Sequence, residues 1–383
     1  MRPASVLLLA TLLLSVGSLS LGQEQLSGPQ PASGSERNEQ AALGTTDFLI
    51  TGWAFGGFES SQGKNSNFSS GVSPILLWKL GDRIFFESEV EISLESGETS
   101  VDLEYAHLAY FLNDHTTLGV GFFLTPFGSF RERLHPAWIN KLPDMPLALD
   151  EESGIAPTSS LGLQARGAVQ VGAVGINYAL YVSNGPALKT EGEEAGRLDF
   201  GNFRDSNKGK AVGERLGLLL FPELEVGYSL LEGKVGAQKT EFRDLKAFLQ
   251  AVDLNYVKTI AAVKGRLDVR VEWVWSRVDD ATHGIIAFHN VSSGGYAQLA
   301  YRPSQAGAKA IRDLEAVVRY DALRLPKGAP VSTDQKRWAG GLGYWLGPST
   351  ILKAAYESLR TTDRATGETT TTRSFLLQAA IGF

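Results

Sequence analysis

The sequence predicts an all-β protein: a closed, transmembrane, antiparallel β-barrel of about sixteen strands. Three observations predict it. From Thr46 onwards, apolar and polar residues alternate with period two in segments of about ten residues. Gly, Pro, Asn and Asp punctuate these segments, and the connections are short and long by turns. No run after the first 22 residues approaches the roughly 18 apolar residues of a membrane helix. A mean hydropathy of -0.07 fits such a wall, because lipid-facing and lumen-facing residues cancel in any window.

The N-terminus carries an export signal. Arg2 supplies the positive start, Val6–Leu14 is apolar apart from Thr11, and Ser20 and Gly22 are small residues suited to cleavage. Residues 1–22 are therefore expected to be a signal peptide. Residues 23–45, rich in Ser, Gly, Pro, Gln and Glu, read as a flexible periplasmic lead-in, and 46–383 as the barrel. There is no cysteine, which excludes disulfides, thiolate metal sites and a Cys nucleophile. A formal charge of -6 gives no general attraction to nucleic acid.

The strands are expected near Thr46–Phe58, Asn67–Lys79, Arg83–Leu94, Ser100–Leu112, Thr116–Pro126, Ser159–Val171, Val174–Ser183 and Ala211–Phe221. Leu224–Gly233, Asp244–Val257, Ala262–Arg277, Ser292–Arg302, Ile311–Leu323, Gln335–Leu346, Ser349–Thr361 and Thr370–Phe383 complete the set. Tight turns at Gly81-Asp82, Asn113-Asp114, Gly172-Ala173, Pro222-Glu223 and Gly347-Pro348 mark one end; Phe127–Thr158 and Asn184–Lys210 are long connections at the other. Aromatics near strand ends suggest two interfacial girdles: Trp78, Tyr110, Tyr256, Tyr301 and Trp345 on one side, Phe58, Tyr181 and Trp275 on the other.

The inward faces carry charge. In the third strand Glu87, Glu89 and Glu91 alternate with apolar residues, which places neighbouring carboxylates about 6.6 Å apart on one side. Arg166, Arg266, Arg270 and Arg319 fall on inward positions of other strands, where they either face the lumen or neutralise the glutamates. The long segment after the fifth strand adds Arg131, Glu132, Arg133, His135, Lys141, Asp144, Asp150, Glu151 and Glu152, with five prolines from Pro126 to Pro157. Some thirty residues without strand pattern are uncommon in a compact fold unless they serve function.

The final strand, with Phe375, Leu377, Ile381 and a terminal Phe383 at alternate positions, resembles the C-terminal signal by which bacterial outer-membrane barrels reach their assembly machinery. Sixteen strands with a long third outer loop resemble the trimeric porins. Gly121–Gly128 (GFFLTPFG) and Tyr178–Gly185 (YALYVSNG) are similar to the phosphate-selective porin group, although the acidic ladder departs from an anion-selective lumen. The resemblance implies outer-membrane location among lipid and lipopolysaccharide, a homotrimer, and a third loop folded into the lumen. It also implies a water-filled channel for small hydrophilic solutes, with no cofactor and no nucleic-acid partner. Pore-lining charges are then Glu87, Glu89, Glu91, Arg131, Arg133, Arg166, Arg266, Arg270 and Arg319.

Two other classes stay open: a barrel enzyme such as a protease or lipase, and a non-conducting barrel serving as adhesin or scaffold. His135 with Asp144 or Asp150 is the one cluster that could be catalytic, and a loop tied to the wall is the simpler reading. His283 and His289 near Asp279 and Asp280 match no established zinc spacing. Asp205, Asn207 and Gly209 lack the terminal acidic ligand of a calcium loop. Gly340, Gly341 and Gly343 lie within a strand, so they are expected to relieve crowding and not to bind a nucleotide.

Overall fold

The computed structural model describes residues 47–95, 97–201, 204–282 and 284–383. The expected signal peptide and lead-in lie outside them. Among the described residues, sixteen strands close into an antiparallel barrel in which each pairs with its chain neighbours and the last pairs with the first. They are β1 (Asp47–Ser61), β2 (Asn67–Leu80), β3 (Ile84–Glu95), β4 (Glu98–Asn113), β5 (Thr116–Leu124), β6 (Ser159–Val171), β7 (Val174–Ser183) and β8 (Ala211–Phe221). The second half comprises β9 (Leu224–Lys234), β10 (Lys246–Ile260), β11 (Gly265–Val278), β12 (Val291–Arg302), β13 (Leu314–Arg324), β14 (Thr333–Trp345), β15 (Thr350–Asp363) and β16 (Thr369–Gly382). Closure satisfies the backbone groups that an open sheet edge would leave exposed to lipid. At the seam Phe383 N donates to Gly52 O at 3.0 Å and Gly52 N donates to Phe383 O at 3.1 Å.

All sixteen expected strands are present, and the five tight turns fall where the sequence places them. One start differs. The segment from Ala262 is not strand: Ala261–Val263 form a 3-10 turn ended by Lys264 in the left-handed region (φ 50°), and β11 begins at Gly265. The long connection 184–210 also contains a two-residue hairpin, Ala187–Leu188 with Leu198–Asp199, too short to leave a periodic signal.

The wall is turned inside out relative to a soluble protein. Leu163, Val212, Leu299, Val318, Trp338, Leu342, Leu352 and Tyr356 are exposed on the outer face. Inward positions bury Arg215, Asp253, Glu272, Arg319, Asp321, Arg337, Lys353 and Glu357. Apolar outside and charged inside is favourable only where the outer surface meets hydrocarbon. Phe375, Leu377, Ile381 and Phe383 all belong to the exposed outer set. Two aromatics assigned to the girdles point inward instead. Tyr181 is 2% exposed and meets Phe123 edge-on, while Trp345 donates from Nε1 to Glu315 at 2.9 Å beneath Lys141. Tyr181 joins a buried apolar cluster that includes Phe127, Phe130 and Ile155 of the long segment 125–158, and Trp345 meets Lys141 of the same segment, which strand periodicity cannot reveal.

Candidate functional site

The segment 125–158 leaves β5 and returns to β6 through a neck in which Thr125 N donates to Thr158 O at 2.9 Å. Between these ends it touches much of the inner wall. Gly128 opens the course: its backbone is in the left-handed region (φ 69°), and a Cβ there would lie 1.9 Å from Glu272 Oε1. That closeness lets the β11 carboxylate accept from Ser129 N at 2.8 Å and Phe130 N at 2.9 Å, capping the single helical turn Phe130–Arg133. Arg215 on β8 donates from Nε to Gly128 O at 2.7 Å and pairs with Asp253 on β10 at 2.7 Å.

Further along, the chain crosses to β13–β16. Lys353 on β15, 3% exposed, donates from Nζ to the carbonyls of Ala137, Asn140 and Leu142 at 2.7, 3.1 and 3.2 Å. Lys141 reaches Glu315 at 2.9 Å. Asp144 is paired with Arg319 and Arg337, which also hold Asp321 at 3.0 and 3.1 Å. Burial disfavours the charged form of Asp144, but the two guanidiniums prevail and hold its carboxyl well below the usual range. Leu142, 1% exposed, sits among Ala300, Val317, Ala339, Ala355 and Leu376. A Cβ on Gly341 would come within 2.6 Å of it, so this glycine makes room for the loop. Burying a leucine contributes about 2 kcal/mol.

The loop therefore packs as a plug on one side and leaves the other open. Cavities of about 370, 280 and 480 Å³ remain between it and the wall. The first is bordered by β1–β3 and β16, the second by β2–β6 and the loop, and the third by β3–β8. His135 borders the first two; Glu87, His107, Glu132, Arg133 and Arg166 border the last two. The shared residues string the cavities together along β3–β6. Gly119 on β5 keeps this side spacious, since a Cβ there would lie 2.7 Å from the Gln164 side chain.

The acidic ladder faces inward. Trp53 Nε1 donates to Glu89 at 2.8 Å, Tyr105 OH donates to Glu87 at 3.1 Å, and Glu91 borders the first cavity. Arg166 pairs with Glu132 of the loop at 2.9 Å and Arg133 with Glu225 of β9 at 2.7 Å; both guanidinium side chains stay about 40% exposed, at 43% and 40%. The remaining basic candidates are not exposed to this path. Arg319 is fully buried, Arg131 is 6% exposed between Glu104 and Glu151, and Arg270 is bound to Asp268 at 2.7 Å. Each neutralises a carboxylate that would otherwise be buried alone. Arg266 is exposed near the short-turn end, opposite Arg302 in register.

Three lumen residues escaped sequence reading. Glu104 is the extra residue at a register shift between β3 and β4, so it and Tyr105 both meet inward partners. Arg215 is flanked by Gly213 and Gly217, which blur its alternation, and His107 is the one charged or strongly polar position in the run Tyr105–Leu112. The proposed pairing of His135 with Asp144 or Asp150 does not form. Its Nδ1 bonds Arg131 O, and Nε2 lies 4.0 Å from Glu89. His283 lies outside the described residues; His289 Nδ1 is 3.1 Å from Asp280. Asp205 and Asn207 accept from Lys208 N and Gly209 N, which makes a locally capped turn.

No family model matches the sequence, and no curated protein matches it. Solved structures do. The outer membrane channel DcaP of Acinetobacter baumannii is 12% identical, with 90% of this chain and 99% of that one covered and a TM-score of 0.58. An anion-selective porin from Comamonas acidovorans is 8% identical over 88% of this chain and 100% of its own, at 0.57. OmpT, an outer membrane protein of Vibrio cholerae, in its trimer form, is 13% identical over 88% and 99%, at 0.51. The chain has the fold of the sixteen-stranded outer-membrane porins.

Proposed function

We propose that the protein is an outer-membrane porin, a passive channel for small hydrophilic solutes and ions, and not an enzyme. The observation that carries this reading is the chain of cavities beside the docked loop, edged by Glu87, Glu89, Glu91, Arg133 and Arg166. A pore selects by its radius and by charges fixed along its wall. Here the loop supplies the narrowing and the wall the charges. His135, occupied by a carbonyl and next to a carboxylate, activates no nucleophile, which disfavours the protease or lipase reading. The similar proteins described as a channel and as a porin support conduction, and the trimer form of OmpT supports a homotrimer. The apolar outer row Phe375, Leu377, Ile381 and Phe383 suits both lipid contact and recognition by the assembly machinery. Lipopolysaccharide would meet the long-loop end.

Planar-bilayer recording of the purified protein tests the reading. Discrete, ohmic steps are expected, and removal of residues 129–153 should enlarge them. A correctly folded barrel that gives no conductance, or one whose loop deletion leaves conductance unchanged, would overturn it.

A further inference from the structure

We propose that the middle cavity of the lumen is a binding station for small zwitterions of the α-amino-acid kind. The inference rests on the porin reading and goes further, to the class of solute held. The cavity has about 280 Å³, room for one such molecule. Its polar groups are sorted by what they lack. On one side acceptors predominate, with the Gln164 amide and the His107 ring the groups there that can also donate. Glu87 and Glu89 each take one donated bond, from Tyr105 and Trp53 respectively, and a carboxylate can accept several more.

Two further acceptors there have no donor. Gln164 is 6% exposed and its Oε1 has no partner. His135 is 7% exposed; its Nδ1 lies on the Arg131 carbonyl, and its Nε2, which carries a lone pair in the neutral ring with Nδ1 protonated, has no hydrogen-bond partner. Four acceptors around one space fit a group with several N–H donors and a positive charge, which is an ammonium. The opposite side is the reverse. Arg133 and Arg166 each spend one nitrogen on a glutamate and keep the rest of their forks, 40% and 43% exposed, for an anion. Phe123 and Leu124 add an apolar strip beside them. A solute with an ammonium and a carboxylate on a short skeleton satisfies both sides at once; one with a single charge leaves one side unmet.

The test is residence time in the intact channel. L-glutamine would be added to the protein in planar bilayers at about 0.15 M salt, where opposite charges a few ångströms apart are still felt. Its deaminated analogue glutaramate and decarboxylated analogue 4-aminobutyramide would serve as comparisons. Glutamine is expected to interrupt the ion current about tenfold longer than either analogue, since each loses one set of charge-assisted bonds. Glu87→Gln with Glu89→Gln should cut the glutamine dwell to that of glutaramate. Arg133→Gln with Arg166→Gln should cut it to that of 4-aminobutyramide, and Glu87→Gln alone should give an intermediate value. Heat-modifiable migration confirms that each variant is folded. A conducting channel that holds one analogue as long as glutamine, or blocks with none, overturns the zwitterion station and leaves the porin reading standing. A folded barrel that passes no current overturns both.

Discussion

The carboxylate of Glu272 lies against the bare α-carbon of Gly128, and this contact sets where the loop enters the barrel. Any side chain at Gly128 meets two penalties: the left-handed backbone, and displacement of the carboxylate from the Ser129 and Phe130 amides. Gly128→Ala should loosen the docked loop by about 2–4 kcal/mol while the wall still assembles. Trypsin, barred from the buried Arg131 in the parent, should then cut there. Equal resistance of parent and variant would show that the contact is dispensable.

Lys353 holds the far side of the loop through three carbonyls. Lys353→Met keeps the stem and removes the charge, at a docking cost of about 3–5 kcal/mol. The chain has no cysteine, so Leu142→Cys, at a position 1% exposed, reports loop opening by maleimide labelling. In the Lys353→Met background that labelling should be at least about tenfold faster. No acceleration would place the loop's hold elsewhere.

Acid should release the loop late. The Asp144 carboxyl is depressed in the fold, to about 2, against about 3.9 in an unfolded chain. A depressed carboxyl gives stability that is full above the unfolded value and is lost as pH falls through the folded one. Pepsin digestion at falling pH should therefore leave the loop uncut near pH 4 and cut it as pH approaches 2. Asp144→Asn should be cut already at pH 4. Cleavage of the parent at that pH would contradict the anchoring role.

The ladder should bias the current. With Glu87, Glu89 and Glu91 all changed to Gln, reversal potentials in a salt gradient should move towards anions, with cation preference falling about two- to fivefold at low salt. The difference should fade near 1 M, where screening acts within about 3 Å. Unchanged potentials would mean that Arg133 and Arg166 already cancel these carboxylates.

How legible the barrel was in the sequence depends on scale. Strand positions were readable, because period-two alternation and Gly, Pro, Asn and Asp turns are local signals, and parity put Glu87, Arg166 and Arg319 on the inner face. Parity says nothing of what covers an inner residue. Arg319 and Arg166 look alike in sequence, yet one is sealed beneath Asp144 and the other stays partly open. That difference is made by the course of residues 125–158, which has no period. Tyr181 and Trp345 were misplaced for the same reason. Glu104 was missed because one extra residue shifts the register of β4 and breaks the alternation on which parity depends.

Chain order adds a consequence for assembly. The loop is made after the fifth strand, yet many of its fastenings, Arg319, Arg337, Lys353 and Gln378, belong to the last four. Ten strands lie between the loop and the strand that carries its final tether. Trp138 then lies over Gly382, at the seam where β16 meets β1. The bore of the barrel is thus fixed by the same step that seals the wall, and a barrel halted short of its last strands would be both unclosed and unnarrowed.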